Sequence, residues 1–286
     1  MLHSLDHVII AVRDLEPATE NYARLFGRGA SWRGEHPGQG TANSLFRLAN
    51  TYVELVGVTG DGPFARAIGE RLERDGEGLV GLAFGTDDAE ACAAELRRRG
   101  LPAADPVEGS GADSRTGAKR SWRNVHWPPA ATRGVLAFAI EHLSPADALP
   151  PAPLTSPRES AVEALDHVVV RSPDAEAARA LYGESLGLRL ALDRSFEERR
   201  VRLQFFRVGG VTVEVASALG APADPSAPDR LWGLAWRVPD ADAARARLVG
   251  AGFPVTPVRS GNKPGTRVCT VERETCGVPT LLIGAD

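Results

Sequence analysis

A chain of 286 residues and 30.3 kDa predicts about two domains, at roughly 100–200 residues each. Its 33 Lys and Arg against 37 Asp and Glu give a formal charge of −4 and a pI near 5.9. That balance argues against a nucleic-acid binder, which carries a basic excess. Three scattered cysteines, Cys92, Cys269 and Cys276, predict neither a disulfide framework nor a Cys-type zinc site, and the expected compartment is the cytoplasm.

The first apolar run, Val8 to Val12, lies between Asp6-His7 and Arg13-Asp14. It is too short and too charged at its flanks for a signal peptide or membrane span, and reads as a strand over 5–12. Asp14 is the predicted cap of a helix that stops at Gly27. Strands are predicted near 31–34, 43–48 and 51–58. The segment Glu70 to Arg74 reads as a solvated helix face with internal ion pairs. A strand over 78–85 follows, then a helix capped by Asp87 or Asp88 and stopped at Gly100, with Cys92 buried as a small apolar residue. Strands close the half near 103–108, 120–127 and 134–143.

Pro145, Pro150, Pro151, Pro153 and Pro157 make residues 146–162 an extended linker between a domain at 1–145 and a second at 163–286. The second half predicts a strand at 165–171, a helix at 174–186 and strands at 188–196, 201–208 and 211–217. Then come a strand at 231–238, a helix at 240–250 and strands to 284. The order is β-α-β-β-β, four times.

The two halves are copies. Leu5-Asp6-His7-Val8 recurs as Leu165-Asp166-His167-Val168, and Val53-Glu54-Leu55 recurs as Val213-Glu214-Val215, both displaced by 160 residues. Gly81-Leu82-Ala83-Phe84 resembles Gly233-Leu234-Ala235-Trp236 at a displacement of 152. On paired βαβββ modules these segments resemble the vicinal oxygen chelate superfamily of glyoxalases, extradiol dioxygenases, epimerases and bleomycin-type resistance proteins. The run His36-Pro37-Gly38-Gln39-Gly40-Thr41-Ala42-Asn43 resembles its glyoxalase-like domain branch.

That resemblance implies an α+β fold: two tandem domains, each a pair of βαβββ modules forming a cupped mixed sheet with helices outside. It also implies metal ligands from the first and last strands of each module. His7 and Glu54 match in module one; Gly81 replaces the second first-strand ligand; Glu141 is taken as the second last-strand ligand. His142 and His126 are candidates for the missing nitrogen, although neighbours on a strand face opposite ways and His142 should not share Glu141's side. The second domain offers only His167 and Glu214, with Gly233 and Gly284 at the other positions. A divalent ion (Zn, Ni, Mn, Fe or Co) on His7, Glu54 and Glu141 would polarise a carbonyl or vicinal-oxygen substrate, while Glu141 or Glu54 moves a proton.

His36, Asn43, Trp122 and Arg123 are the candidate substrate contacts. Arg115, Lys119 and Arg120 accompany Arg123 in a basic segment suited to an anion. The implied activity is lyase or isomerase chemistry on a small molecule, by a monomer or homodimer with no nucleic-acid or membrane partner. Two alternatives stand beside it. One is an antibiotic-type binding protein without a metal, its cleft lined by Trp32, Trp122 and Trp127. The other is an extradiol-type dioxygenase, which the glycines at 81 and 233 disfavour.

Overall fold

The computed structural model describes every residue except 37, 221 and 225. The first half runs β1 (Ser4–Ala11), α1 (Leu15–Phe26), β2 (Trp32–His36), β3 (Thr41–Arg47), β4 (Tyr52–Val58), α2 (Pro63–Asp75), β5 (Gly78–Gly85), α3 (Ala89–Arg98), β6 (Val107–Ala112), β7 (Lys119–His126) and β8 (Leu136–His142). The second repeats it as β9 (Ala164–Arg171), α4 (Ala175–Arg179), β10 (Arg189–Phe196), β11 (Val201–Val208), β12 (Val211–Ala218), β13 (Arg230–Arg237), α5 (Ala241–Gly250), β14 (Arg259–Ser260), β15 (Thr266–Val271) and β16 (Thr280–Ala285).

Each half folds into an eight-stranded mixed sheet, in the orders β2-β3-β4-β1-β5-β8-β7-β6 and β10-β11-β12-β9-β13-β16-β15-β14. The first strands of the two modules run antiparallel at the centre, and each pairs parallel with the last strand of its own module. Alternation along β1 sends Val8 and Ile10 to the helices and His7 and Ile9 to the inner face. Both faces are covered, which is why the run is continuously apolar. The first sheet nearly closes on itself: Gly34 bridges Asp113, and the Ser114 N–H donates to the Arg33 carbonyl at 2.8 Å.

Local signals act where their chemistry allows. Asp88 caps α3 by accepting from the Ala91 N–H at 3.0 Å. Asp14 stands at the cap of α1 but its side chain makes no capping bond. Gly27 ends that helix at φ +65°, and a Cβ there would lie 3.1 Å from Ser156. Helix α4 is short and passes into a π-helical turn over Ala180–Ser185.

Two sequence expectations gain detail: the charged residues of Glu70–Arg74 form a helix face with ion pairs from Arg71 and Arg74 to Asp75, and the linker is extended. The Glu70–Arg74 stretch belongs to α2, whose Ile68 and Leu72 pack with Ile9, Ala11 and Val56 on the inner face, so this helix plugs one end of the first sheet. The proline-rich segment is extended and bound to both halves: the Asp240 N–H donates to the Glu159 carbonyl at 3.1 Å and Arg247 Nε to the Ser160 carbonyl at 3.1 Å. Pro153 accepts from the Gly29 N–H at 2.8 Å, the Ala152 N–H donates to Arg47, and the Arg28 guanidinium donates to the Val162 and Ala152 carbonyls.

The helix-covered faces of both sheets merge into one apolar core. Phe26 of α1 meets Trp236 of β13 edge-on, with ring centroids 5.0 Å apart. Phe26→Ala would leave a cavity at this junction. We expect a loss of about 3–5 kcal/mol in urea unfolding, with both halves losing structure in the same transition.

Candidate functional site

The register of the strands defines the inner face of the first sheet. His7 lies opposite Tyr52 on β4 and Ala83 on β5, and Glu54 lies opposite Ile9 and Leu45. Trp32 pairs with Leu45, and Asn43 with Val56, so β2 and β3 bring Trp32, His36 and Asn43 to the same side.

Glu54 is the centre of a polar network in this apolar wall. Asn43 Nδ2 donates to Glu54 Oε1 at 2.7 Å and lies 3.2 Å from His36 Nε2. Turning the amide round would set its oxygen against the carboxylate, so this orientation is the favourable one. His36 Nε2 is then an acceptor, and its Nδ1 donates to Thr41 Oγ1 at 2.8 Å. Asn43 Oδ1 is buried without a partner.

On the other side, His7 Nε2 stands 3.6 Å from Glu54 Oε2, too far for a hydrogen bond. His36 Nε2 is likewise 3.6 Å from Oε1. Among the described residues nothing donates to Oε2. His7 Nδ1 donates to Asp6 Oδ1 at 2.8 Å, and Asp6 Oδ2 bonds His142 Nε2 at 2.9 Å. Burial alone would raise the Asp6 carboxyl, but the hydrogen bonds from His142 and His7 outweigh it and hold it well below the usual carboxylate range. Tyr52 stacks on the His7 ring at 4.3 Å, and Phe138 meets its edge at 5.6 Å. Burial holds the Tyr52 phenol far above its ordinary range, so it stays protonated.

Glu141 does not join this group. It lies opposite Arg123, on the helix side of β8. There Oε2 accepts from the Ala89 N–H at 3.0 Å, at the start of α3, and pairs with Arg123 Nη2 at 2.7 Å. Arg123 is thereby turned away from the inner face as well.

The register explains the displacement. Glu54 pairs with Ile9, two residues beyond His7; two residues beyond Gly81 is Ala83, and its partner on β8 is Phe138. The last-strand ligand position is therefore Phe138, three residues before Glu141. In the second half the same construction gives Leu281 rather than Gly284. Both halves retain one imidazole and one carboxylate, and the first has no extra ligand at the family's positions.

The remaining candidates divide by strand parity. Trp122 and His142 pair across β7 and β8 on the inner face; His126 pairs with Phe138 on that face, at the strand's end. Trp127 is buried in the helix-side core. Arg115 is spent on Asp113. The loop at 36–43 is the β2–β3 hairpin, whose Pro37 lies outside the described residues.

Arg120 and Tyr52 escaped the sequence reading as a pair. The signal was present in the two-residue alternation of Arg120, Trp122, Asn124 and His126. His167 repeats the dyad, bonding Asp166 at 2.9 Å and standing 3.9 Å from Glu214. Its surroundings differ: the residues 160 after Asn43 and His36 are Leu203 and Phe196, and Glu214 is held above its ordinary range by burial.

A divalent ion is typical of the superfamily that this architecture resembles. The residues here do not fit its usual set, because Gly81 and Phe138 offer no donor. The space at Gly81 is already taken, since a Cβ there would lie 3.1 Å from Ile9 Cδ1. Among the described residues no group of three or more His, Cys, Asp or Glu side chains could hold a metal. No helix among them is long and apolar enough to cross a membrane.

The family model for the glyoxalase-like domain matches residues 5–186. The model for the glyoxalase/bleomycin resistance protein/dioxygenase superfamily matches residues 166–270. A search of curated proteins returns no match. Among solved structures, a 4-hydroxymandelate synthase variant from Streptomyces coelicolor is similar over 100% of this chain and 93% of its own, with TM-score 0.69 and 16% identity. A hypothetical protein from Staphylococcus aureus is similar over 99% of each chain, with TM-score 0.64 and 11% identity. A xylose isomerase-like TIM barrel/4-hydroxyphenylpyruvate dioxygenase fusion protein covers 100% of this chain with 49% of its own, with TM-score 0.61 and 12% identity. At such identities the likeness is one of fold.

Asp6 gives this site an acid dependence. A carboxyl depressed by folding contributes stability that is present above its unfolded pKa, about 3.9, and is lost as pH falls toward the folded value. Wild-type urea midpoints should therefore drop steeply below about pH 4, and those of Asp6→Asn should drop less. Near neutrality the variant should be less stable by about 1–3 kcal/mol, the scale of lost charge-assisted hydrogen bonds.

Proposed function

The chain belongs to the glyoxalase-like domain family of the vicinal oxygen chelate superfamily, and on that scaffold we propose that its first sheet houses an enzyme site that moves a proton on a small carbonyl compound. The observation that carries this reading is Glu54: a carboxylate inside an apolar wall, steadied at Oε1 by Asn43 and left without a donor at Oε2. An acceptor held in one orientation with a free lone pair is what a general base requires. His7 stands beside the open oxygen, and its Nδ1–H is anchored on the ionised Asp6. That anchor fixes the ring with Nε2 on the side of the open carboxylate oxygen. His36 lies at the other oxygen, with its proton committed to Thr41.

The reaction class is therefore proton abstraction beside a carbonyl, as in an isomerase or lyase. The second half keeps the dyad but replaces the orienting amide with Leu203, and we assign it no chemistry.

A binding protein without turnover is the second reading, favoured by the plugging of the inner face by α2 and its Ile68 and Leu72. Solvent exchange separates the two. In D2O, proton NMR of a panel of small α-hydroxy- and α-ketocarbonyl compounds should show an α-proton exchanging with wild-type protein. Glu54→Gln should slow that exchange by about 10²-fold or more, the usual contribution of a positioned base. Undiminished exchange in the variant overturns the assignment of Glu54, and no exchange with any compound supports the binder.

A metal measurement bears on the same site. With two of the family's four donors present, protein purified without chelator should carry well below one equivalent of any transition metal by mass spectrometry. One equivalent that disappears in His7→Ala or Glu54→Gln would restore metal-assisted chemistry.

A further inference from the structure

We propose that the open end of the first sheet is a binding site for a small organic carboxylate, with Arg120 as its anion hook. A cavity of about 310 Å³ opens there, floored by Tyr52 and Arg120 and rimmed by Asp6, His142, Arg47 and Leu149. That volume lies at the lower end of the range for small-molecule pockets.

Arg120 is 7% exposed, and among the described residues no carboxylate lies within 4 Å of it. A buried guanidinium without a counter-ion is costly. Aromatic rings soften that cost without neutralising it. The Arg120 guanidinium carbon lies 5.5 Å from the ring centres of Trp32 and Tyr52, and 6.0 Å from that of Trp122. The other charges of the cavity are already committed. Asp6 bonds His7 and His142, and Arg47 donates to the carbonyls of Ala146, at 2.6 Å, and Leu149. Arg120 is thus the buried cation of the cavity, and among the described residues no carboxylate neutralises it.

The surroundings select the anion. A planar guanidinium matches a carboxylate in two parallel hydrogen bonds. The ionised Asp6 on the same rim disfavours a dianion such as phosphate. The indole and phenol faces suit a hydrocarbon or aromatic body behind the carboxylate. Tyr52 joins this cavity to the proton-transfer group, since its ring contacts Arg120 on one side and stacks on His7 on the other. The proposal rests on the reading of the first sheet as a small-molecule site, and names the class of compound it takes.

Benzoate is the probe. Isothermal titration and tryptophan fluorescence of the full chain should show saturable binding of one equivalent, with the emission of Trp32 and Trp122 responding. Binding to Arg120→Met should be about ten- to hundredfold weaker, the range expected for loss of a charge-assisted pair. If that variant does not fold, wild-type protein still decides, because the neutral isostere benzamide should bind weaker by a similar factor.

Equal binding of benzamide, unchanged binding in folded Arg120→Met, or no saturable binding of benzoate overturns the proposal. So does phosphate that displaces benzoate at equal concentration. The readout is binding alone, so it fails separately from the proton exchange assigned to Glu54.

Discussion

A carboxylate held inside an apolar sheet is the constraint from which the rest of the site follows. Glu54 lies opposite Ile9 and Leu45 in a wall otherwise built from aliphatic and aromatic side chains. Ionised and alone, it would be expensive there. The chain supplies Asn43 and His36 from the adjoining hairpin, and His7 backed by Asp6 from the central strand. The second half shows the same fold without those neighbours. Leu203 and Phe196 occupy the hairpin positions, and burial pushes the Glu214 carboxyl upward. The contrast identifies the hairpin polar residues, rather than the repeated His and Glu, as what distinguishes the first sheet.

The interior of that sheet is divided. Helix α2 has no counterpart among the described residues between β12 and β13. It lays Ile68 and Leu72 over one end, joined by Phe64 and Phe138. Trp32, Leu45, Tyr52 and Leu149 cluster at the other, around Arg120. The polar group around Glu54 lies between an apolar plug and an aromatic, cationic mouth. Such a low-dielectric setting strengthens whatever hydrogen bonds a ligand makes there.

The repeat made much of this legible. His7, Glu54, His167 and Glu214 stood out because the same residues recur 160 positions apart at equal spacing, and the sheet architecture followed from the modules those segments define. The partners His36 and Asn43 were visible because they flank a glycine-rich hairpin. What the sequence hid was register. Glu141 and Phe138 differ by an odd number of residues, so they face opposite sides of β8. A Glu in an apolar run resembles a ligand until the paired strand shows which side it takes. Arg123, directly opposite, made the same misreading twice over. The amphipathic α2 was hidden for a related reason: its charges suggest solvent, and only the tertiary fold shows that Leu72 points into the sheet.

The second half also contacts the rim of the first half's cavity. Asn50, in the turn between β3 and β4 at the rim of the Arg120 cavity, donates to the Leu165 carbonyl at 2.9 Å and accepts from the Leu165 N–H at 3.0 Å. The Ala49 N–H donates to Glu163, and Ala152 is tied back to Arg47. The rim of the cavity is therefore held by the start of β9 and by the proline-rich segment before it. Prolines restrict that segment's alternatives, so less entropy is lost in fixing it against the rim. A binding mouth gains affinity when its walls are ordered before the ligand arrives. The duplicated half, with Leu203 in place of the amide, holds the turn at Ala49 and Asn50 through these hydrogen bonds.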